Sequence, residues 1–192
     1  MGTAVQDLKL GLRRTVRERL SHMSGAQRDA GAELARKQLE KQGAWKDART
    51  ILFYAPLPGE LDIWPLLPDA LQAGKEVFLP RFDPESKGYV AHCVKSPETD
   101  LEDGQFGIRE PKARCAQLPL NRLDFVLVPG IAFDLHGRRL GRGRGYYDQI
   151  LAVVRGKTCG VAFDEQIVAE VPVEPHDIIV HCILTPSRGV EP

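Results

Sequence analysis

The sequence predicts an α/β protein in which helices cover both faces of a mostly parallel sheet, forming a three-layer α/β/α sandwich. Two observations lead to this prediction. Strand-like runs alternate along the chain with segments of helical periodicity, and most of these runs are apolar throughout. Strands that are apolar on both sides are typical of parallel sheets, because the crossover helices bury both faces.

The first predicted elements are two helices and a strand. Apolar residues at steps of three and four over 5–20 predict an amphipathic helix. Ser24 and Gln27 have the spacing of a capping box, so we expect a second helix from there to about residue 42. The apolar run 50–55 predicts a buried strand, which a Pro-Leu-Pro-Gly segment ends.

Glycine and proline mark the boundaries of the elements that follow. We expect Asp62 to cap a helix that Gly74 ends, and Pro80 to stop the next strand. Segment 96–120 contains three prolines and two glycines, which favours an irregular structure. The other predicted elements are strands over 76–79, 88–95 (at an edge of the sheet), 123–128, 157–163 and 178–184, and a helix over 146–154.

The composition is that of an ordinary globular domain. Hydrophobic residues make up 43% of the 192 residues, and 26 basic residues are balanced by 26 acidic ones. We therefore expect one domain over residues 1–192 that binds neither nucleic acid nor membranes, since such proteins usually carry more positive charge. No apolar segment has the length of a signal core or a membrane span.

The four cysteines, Cys93, Cys115, Cys159 and Cys182, lack the spacing of a zinc site. We interpret them as reduced thiols, two of them in apolar runs of the core. Free thiols are typical of a reducing compartment, so the expected location is the cytoplasm.

The most informative segment is 128–148, which reads VPGIAFDLHGRRLGRGRGYYD. It places five glycines and four arginines between an apolar strand and an apolar helix. Glycines let backbone amides approach a ligand, arginines offer forked cationic donors, and a helix start adds free amides. In a parallel sheet this loop lies at the carboxyl edge, where ligands bind. The segment therefore predicts a site for a polyphosphate.

Neither common nucleotide-binding motif fits this loop. Tyr146 stands where a dinucleotide-binding G-x-G-x-x-G pattern requires its third glycine. The segment Gly156-Lys157-Thr158 has the ending of a P-loop, but it lacks the first glycine and precedes a strand. The loop is therefore a candidate phosphate site of another kind.

Charged residues elsewhere are candidate partners of this loop, and their simpler interpretations stay open. Asp148 in the first helical turn either compensates the helix dipole or binds Mg²⁺, with Glu174 or Asp177 as its partner. Lys9 and Arg13 share one face of the first helix, which is either solvated or directed at a ligand.

The pattern PG-x-x-FD-x-x-G-x-RLGRG-x-GYYD resembles the signature of the 5-formyltetrahydrofolate cyclo-ligase family, also called methenyltetrahydrofolate synthetases. Shorter motifs extend the resemblance over nearly the whole chain in family order: FLPR at 78–81, GIREP at 107–111, AFDEQ at 162–166 and VPVEPHD at 171–177. The family's fold is an open α/β/α sandwich, in agreement with the predicted elements.

The resemblance implies that 5-formyltetrahydrofolate and ATP give 5,10-methenyltetrahydrofolate, ADP and phosphate, with Mg²⁺ as cofactor. Transfer of the γ-phosphoryl group to the formyl oxygen would create a leaving group, and N10 would then close the ring. Phosphoryl transfer needs positioning and charge neutralisation more than a protein nucleophile. We expect small-molecule partners only and a monomeric enzyme.

The resemblance also assigns expected roles to residues. The expected ATP-binding residues are Lys9, Arg13, Arg139, Leu140, Gly141, Arg142, Gly143, Arg144, Gly145, Tyr146 and Tyr147. The folate is expected at Glu60, Arg142, Gly143, Arg144, Gly145 and Tyr146. Arg142, Arg144 and Tyr147 are expected to be catalytic, and Asp148 and Asp177 to bind the metal. Arg144 stands where relatives often have Lys or Gly, and His181 stands where an aspartate is common.

Two other functions are kept as alternatives. A phosphosugar isomerase or acyl-CoA transferase relative would have a similar sheet and would not require MgATP. An RNA-binding module could use the arginine–glycine loop, but zero net charge and the lack of an aromatic stacking platform argue against it.

Overall fold

The computed structural model describes residues 4–85, 87–104 and 108–191. The helices are α1 (Ala4–Ser21), α2 (Gly25–Leu39), α3 (Gly43–Asp47), α4 (Leu66–Gln72), α5 (Pro97–Asp100) and α6 (Tyr146–Val153). The strands are β1 (Thr50–Leu52), β2 (Glu76–Asp83), β3 (Gly88–Val94), β4 (Leu101–Asp103), β5 (Arg109–Pro111), β6 (Gln117–Leu118), β7 (Phe125–Pro129), β8 (Ala132–Phe133), β9 (Arg139–Leu140), β10 (Lys157–Val161), β11 (Cys182–Leu184) and β12 (Gly189–Val190).

Among the described residues, eight strands form one sheet in the order β12-β11-β10-β7-β1-β2-β3-β6. The strands β11, β10, β7, β1 and β2 pair in parallel, whereas β12, β3 and β6 pair antiparallel. The predicted mostly parallel sheet is confirmed. Chain order turns back between β1 and β7, and open α/β sheets bind ligands beyond the strand ends at such a switch point.

Helices lie on both faces of this sheet, as predicted. Side chains alternate along β1, so Ile51 belongs to one apolar cluster and Leu52 to the other. The first cluster includes residues of α1 to α4, whereas the second includes Ile150 and Leu151 of α6. Complete burial of one such side chain stabilises the fold by about 1.5–3 kcal/mol, so the two clusters hold the three layers together.

The second and third helical predictions need different corrections. The capping box is present, because the Gln27 amide donates to Ser24 Oγ and the Ser24 amide to Gln27 Oε1. However, the second helix ends at Leu39 and a short third helix follows, because Gln42 has an extended backbone with ψ of 133°. The expectation that Asp62 caps a helix is wrong. Its carboxylate accepts the Trp64 amide at 2.8 Å and forms a turn, and α4 follows at residue 66.

Pro80 does not stop β2, which runs on to Asp83. The parallel pairing with β1 ends where Leu52 faces Phe78, and beyond that point β2 pairs with β3 alone. Pro80 lies opposite Ala91 in this antiparallel part. A proline is tolerated where its missing N–H would face a side without a neighbouring strand.

Two segments that were expected to be irregular contain short strands. Segment 96–120 includes α5 and a hairpin of β4 and β5, and it adds β6 beside β3, which is therefore not the edge strand. The motif residue Gly107 lies outside the described residues. The arginine–glycine loop includes a second hairpin, in which β8 pairs with β9.

The cysteines are free thiols, and Cys159 faces Cys182 in the register of β10 and β11. Both are buried in the first apolar cluster, as expected of core thiols. In the parts of the chain that the structure describes, there is no helix of sufficient length and hydrophobicity to cross a membrane.

Gly156 lets β10 begin directly beside β7, and we expect its replacement by alanine to be costly. A Cβ atom at this position would lie 2.2 Å from the Leu123 carbonyl oxygen and 2.4 Å from that of Asp124. Because backbone atoms cannot move aside easily, Gly156→Ala should lower the free energy of unfolding by about 2 kcal/mol or more.

Gly11→Ala is the matched control, because Gly11 lies within α1 and its Cβ would meet no atom within 4 Å. This change should raise the free energy of unfolding by about 0.5–1 kcal/mol, since alanine favours a helix. Urea unfolding measures both values. Equal stability of the two variants would contradict this description of the β7–β10 contact.

Candidate active site

The sequence-predicted site residues all line one cavity of about 1150 Å³ at the carboxyl edge of the sheet. Its walls come from α1, the connection after β1, strand β3, the segment from β9 into α6, and the loop before β11. This location matches the switch point between β1 and β7. The structure thus brings together these residues from distant parts of the chain: Lys9, Arg13, Glu60, Arg139, Leu140, Gly141, Arg142, Gly143, Arg144, Gly145, Tyr146, Tyr147, Asp148 and Asp177.

The hairpin of β8 and β9 carries the arginine–glycine segment into the cavity, and buried Asp134 stabilises it. Its Oδ1 accepts the amides of His136 and Arg138 at 3.0 and 3.1 Å, and its Oδ2 accepts the Val171 amide at 2.9 Å. Asp134 therefore ties the hairpin turn to the segment before β11.

Arg139 lies beneath the loop with 4% of its side chain exposed. Its Nη2 donates to Asp148 Oδ1 at 2.7 Å, and its Nη1 donates to the Pro129 carbonyl at 3.4 Å. The guanidinium carbon lies 5.7 Å from the centre of the Tyr147 ring. Arg139 therefore joins the end of β7, the start of α6 and an aromatic side chain of the cavity wall.

Tyr147 has its hydroxyl buried beside this guanidinium. Within the described parts of the chain, neither Tyr147 Oη nor Arg139 Nε has a hydrogen-bond partner. Burial strongly raises the pKa of the Tyr147 hydroxyl, with Glu60 adding to this shift and Arg139 opposing it. The hydroxyl is therefore a neutral donor at physiological pH.

Glu60 and Arg142 form an ion pair across the cavity. Arg142 Nε donates to Glu60 Oε1 at 3.0 Å, whereas Glu60 Oε2 accepts the Leu57 amide at 2.9 Å. The Glu60 side chain is 8% exposed and that of Arg142 is 41% exposed. Glu60 thus fixes Arg142 through its Nε, while much of the Arg142 side chain stays exposed.

Lys9 is nearly buried and lies between two carboxylates. Its ammonium nitrogen is 2.5 Å from Asp177 Oδ2 and 2.9 Å from Glu174 Oε2. Burial lowers the pKa of Lys9, but the hydrogen bonds to Asp177 and Glu174 outweigh it and leave the pKa raised. Burial likewise opposes ionisation of Asp177, yet the hydrogen bonds from Lys9 and the Glu174 amide lower its pKa overall. Lys9 and Asp177 are therefore a charged pair.

In the loop after β9, backbone amides and cationic side chains lie close together at the cavity. Arg13 Nε donates to the Gly141 carbonyl at 2.9 Å, which brings α1 against the loop. Gly143 and Gly145 have φ of 94° and 69°, in the left-handed region that favours glycine. Gly145 precedes α6 without a side-chain cap, so the first amides of the helix face the loop.

Two carboxylates of the cavity wall could serve a divalent cation. Asp148 and Asp177 both line the cavity, on α6 and on the loop before β11. The described residues contain no cluster of three or more His, Cys, Asp or Glu side chains suited to a metal. Mg²⁺ commonly uses one or two carboxylates together with water and substrate phosphates, so this pair fits a cation that arrives with a nucleotide.

Several residues of the cavity were not among the predicted site residues. Tyr89 lies edge-to-face against Tyr146 with ring centres 5.3 Å apart, and burial raises the pKa of its hydroxyl to about 12. Glu174, expected as an alternative metal partner of Asp148, pairs with Lys9. Glu110 also lines the cavity, and the GIREP motif that contains it was the sequence signal for this position. His181 is not part of the cavity lining, and its Nδ1 accepts the Thr158 amide at 3.1 Å.

The 5-formyltetrahydrofolate cyclo-ligase family matches residues 5–186. The chain belongs to this family. A cyclo-ligase of Escherichia coli K12 is 38% identical over 145 residues, covering 73% of this chain and 80% of that protein. The Mycolicibacterium smegmatis cyclo-ligase is 35% identical over 172 residues, covering 86% of this chain and 87% of its own length.

A solved structure of a cyclo-ligase, the 5,10-methenyltetrahydrofolate synthetase of Aquifex aeolicus, superposes with a TM-score of 0.85 at 34% identity. The match covers 96% of this chain and 92% of that one. The fold predicted from the sequence is therefore the fold of this family.

The contact between Arg139 and Asp148 should appear as an energetic coupling. In a double-mutant cycle with Arg139→Met and Asp148→Asn, we expect a coupling of about 1–2 kcal/mol in the free energy of unfolding. We expect a smaller coupling energy than for a fully buried ion pair, because the Asp148 side chain is 27% exposed and solvent screens the interaction. Urea unfolding of the four proteins measures it, and additivity within about 0.3 kcal/mol would refute the contact.

Proposed function

We propose that the cavity binds ATP and 5-formyltetrahydrofolate side by side and transfers the γ-phosphoryl group between them. Family membership indicates 5-formyltetrahydrofolate cyclo-ligase activity, and ATP dependence follows from that ligase reaction. The observation that carries the proposed arrangement is the convergence of Lys9, Arg13, Arg142 and Arg144 on one cavity beside a glycine-rich helix start.

The reaction begins with attack of the formyl oxygen on the γ-phosphorus of ATP, and ADP leaves. The formyl carbon, now joined to a phosphate group, is attacked by N10, which loses its proton. The carbon–oxygen bond then breaks, and phosphate departs with the former formyl oxygen. The methenyl bridge remains between N5 and N10. The protein supplies positioning and charge for these steps and no nucleophile.

Positive side chains would stabilise the charge that spreads over the transferring phosphoryl group. We assign Lys9 and Arg13 to the ATP phosphates, and Arg142 and Arg144 to the transferring group, since all four line the cavity. The amides of 141–147 would add hydrogen bonds to phosphate oxygens. Glu60 orients Arg142 beside the folate, and Tyr147 would direct its hydroxyl at the reacting groups.

Asp148 and Asp177 would hold Mg²⁺ together with the nucleotide phosphates. When bound, the cation neutralises phosphate charge. Both carboxylates already contact a cationic side chain, Arg139 for Asp148 and Lys9 for Asp177. Each carboxylate would bind the metal through its second oxygen, and Lys9 would exchange a carboxylate partner for a nucleotide phosphate.

We further propose that the chain acts as one domain over residues 1–192, as a monomer in the cytoplasm. The eight-stranded sheet includes both β1, from the first half of the chain, and β12, from its last residues, which supports the single domain. Free thiols in the core support a reducing location.

The direct test of the proposed function mixes the purified protein with 5-formyltetrahydrofolate and MgATP. Formation of the methenyl product gives an absorption band in the near ultraviolet, and ADP release should match it in amount. Omission of ATP, or removal of Mg²⁺ with a chelator, should stop the reaction. Product formation without ATP, or none with it, would overturn the proposal.

Arg142→Ala and Asp148→Ala should each lower kcat at saturating folate by about 10²-fold or more, since both residues act on charge in the transition state. Arg155→Ala is the matched control, because Arg155 is exposed and absent from the cavity lining. It should retain the kcat of the unchanged protein. Thermal unfolding checks that the variants are folded, since Asp148 also pairs with Arg139. Turnover near the original value in both site variants would remove these residues from the chemistry.

A further inference from the structure

The connection after β1 carries Glu60 to the cavity, and a tyrosine side chain closes this connection at its base. Tyr54 follows β1 and packs in the first apolar cluster, with 2% of its surface exposed. Its hydroxyl donates to the Leu61 carbonyl at 2.6 Å, in a buried hydrogen bond. We call residues 55–61 the Glu60 loop. A side chain packed in the core therefore joins the two ends of this loop.

The backbone of the Glu60 loop forms a tight turn but has few amides for further hydrogen bonds. Two of its residues are prolines, which have no amide hydrogen. The Glu60 amide donates to the Leu57 carbonyl at 2.9 Å across a Pro-Gly pair, and Gly59 has φ of 89°, as such a turn requires. The turn fixes the loop locally, and the Tyr54 hydroxyl ties it to the sheet.

The direction of the Glu60 carboxylate depends on this loop. Its Oε2 accepts the Leu57 amide at 2.9 Å within the turn, and its Oε1 accepts Arg142 Nε at 3.0 Å. Burial raises the pKa of the Tyr54 hydroxyl, and the negative charge of Glu60 adds to this shift. Tyr54, Leu57 and Glu60 all line the cavity together with Arg142. A rotation of the loop would therefore carry the carboxylate away from Arg142.

We infer that Tyr54 is a positioning residue of the reaction, whose hydroxyl holds the Glu60 loop so that the carboxylate faces Arg142 and the folate. The inference rests on the proposed function and adds to it a residue that acts through Glu60. The hydroxyl is a neutral donor at physiological pH, because its pKa is raised. The contact therefore persists under the conditions in which turnover is measured.

The first test is Tyr54→Phe, which removes the hydroxyl and keeps the ring. The value of kcat/KM for 5-formyltetrahydrofolate should fall by about 5- to 20-fold, as expected when a buried carbonyl loses its donor. The KM for ATP should stay within about twofold. In a Glu60→Gln background, Tyr54→Phe should change kcat/KM by less than about twofold, because the carboxylate that it positions is absent. An equal loss in both backgrounds, or no loss in either, would overturn the inference.

Thr185→Val is the matched control for the loss of a buried hydroxyl. Thr185 is fully buried, its hydroxyl donates to Asp164 Oδ1 at 2.6 Å, and it lies outside the cavity lining that the described residues form. This change should lower the Tm and leave the kinetic constants within about twofold. A loss of kcat/KM as large as that of Tyr54→Phe would indicate a general effect of lost buried hydroxyls and would overturn the inference.

An NMR measurement on the ligand-free protein separates failure of the inference from failure of the proposed function. The Arg142 Nε–H signal, assigned with Arg142→Lys, reports the hydrogen bond to Glu60. Tyr54→Phe should move this signal toward its position in Glu60→Gln, and Thr185→Val should leave it in place. A signal that Tyr54→Phe does not move would overturn the inference in an enzyme that still turned over. Absence of methenyl product from the unchanged protein would instead overturn the proposed function.

Discussion

The buried guanidinium of Arg139 determines how the arginine–glycine loop lies on the sheet. It contacts the last residue of β7, the first turn of α6 and the ring of Tyr147. Leaving a buried charge without partners costs several kcal/mol, so these three groups must keep their places relative to one another. Both ends of the loop are thereby fixed, while the residues between them, 142–146, stay exposed at the cavity.

Three ion pairs between opposite charges fix the positions of the side chains in the cavity. Lys9 contacts Asp177, Arg142 contacts Glu60, and Arg139 contacts Asp148. The first two pairs join segments distant in sequence, so they hold the helix α1, the connection after β1 and the arginine–glycine loop around one space. A polyphosphate that enters this space meets cations that are already oriented, which lowers the entropic cost of binding.

The central sheet and many of the residues that line the cavity could be predicted from the sequence, because both follow from local sequence patterns. Continuous apolar runs identify buried parallel strands, and the loops after such strands meet at one edge. The partners of each charge could not be predicted in this way. Spacing alone does not show that Asp148 faces Arg139 or that Glu174 shares Lys9 with Asp177. Those contacts depend on how α1 and the loop before β11 pack.

The predictions that Asp62 caps a helix and that Pro80 ends a strand are wrong for the same reason. In both cases the surrounding structure outweighs the local preference of the residue. Asp62 has a capping side chain, but the chain forms a turn before the helix begins. Pro80 lies beyond the end of β1, where a missing amide costs little. Glu110 was missed as a site residue because its position over Gly104 depends on the β4–β5 pairing across the hairpin. Local residue preferences carry no information about such neighbours.

The central claim is that Arg139 and the loop above it form the nucleotide side of the cavity. The most direct measurement is an NMR titration of isotope-labelled protein with a non-hydrolysable MgATP analogue. The amide signals of 139–148 and of the α1 residues around Lys9 and Arg13 should shift together and saturate at one concentration of the analogue. Shifts confined to other parts of the chain, with the signals of 139–148 unchanged at saturation, would contradict the claim.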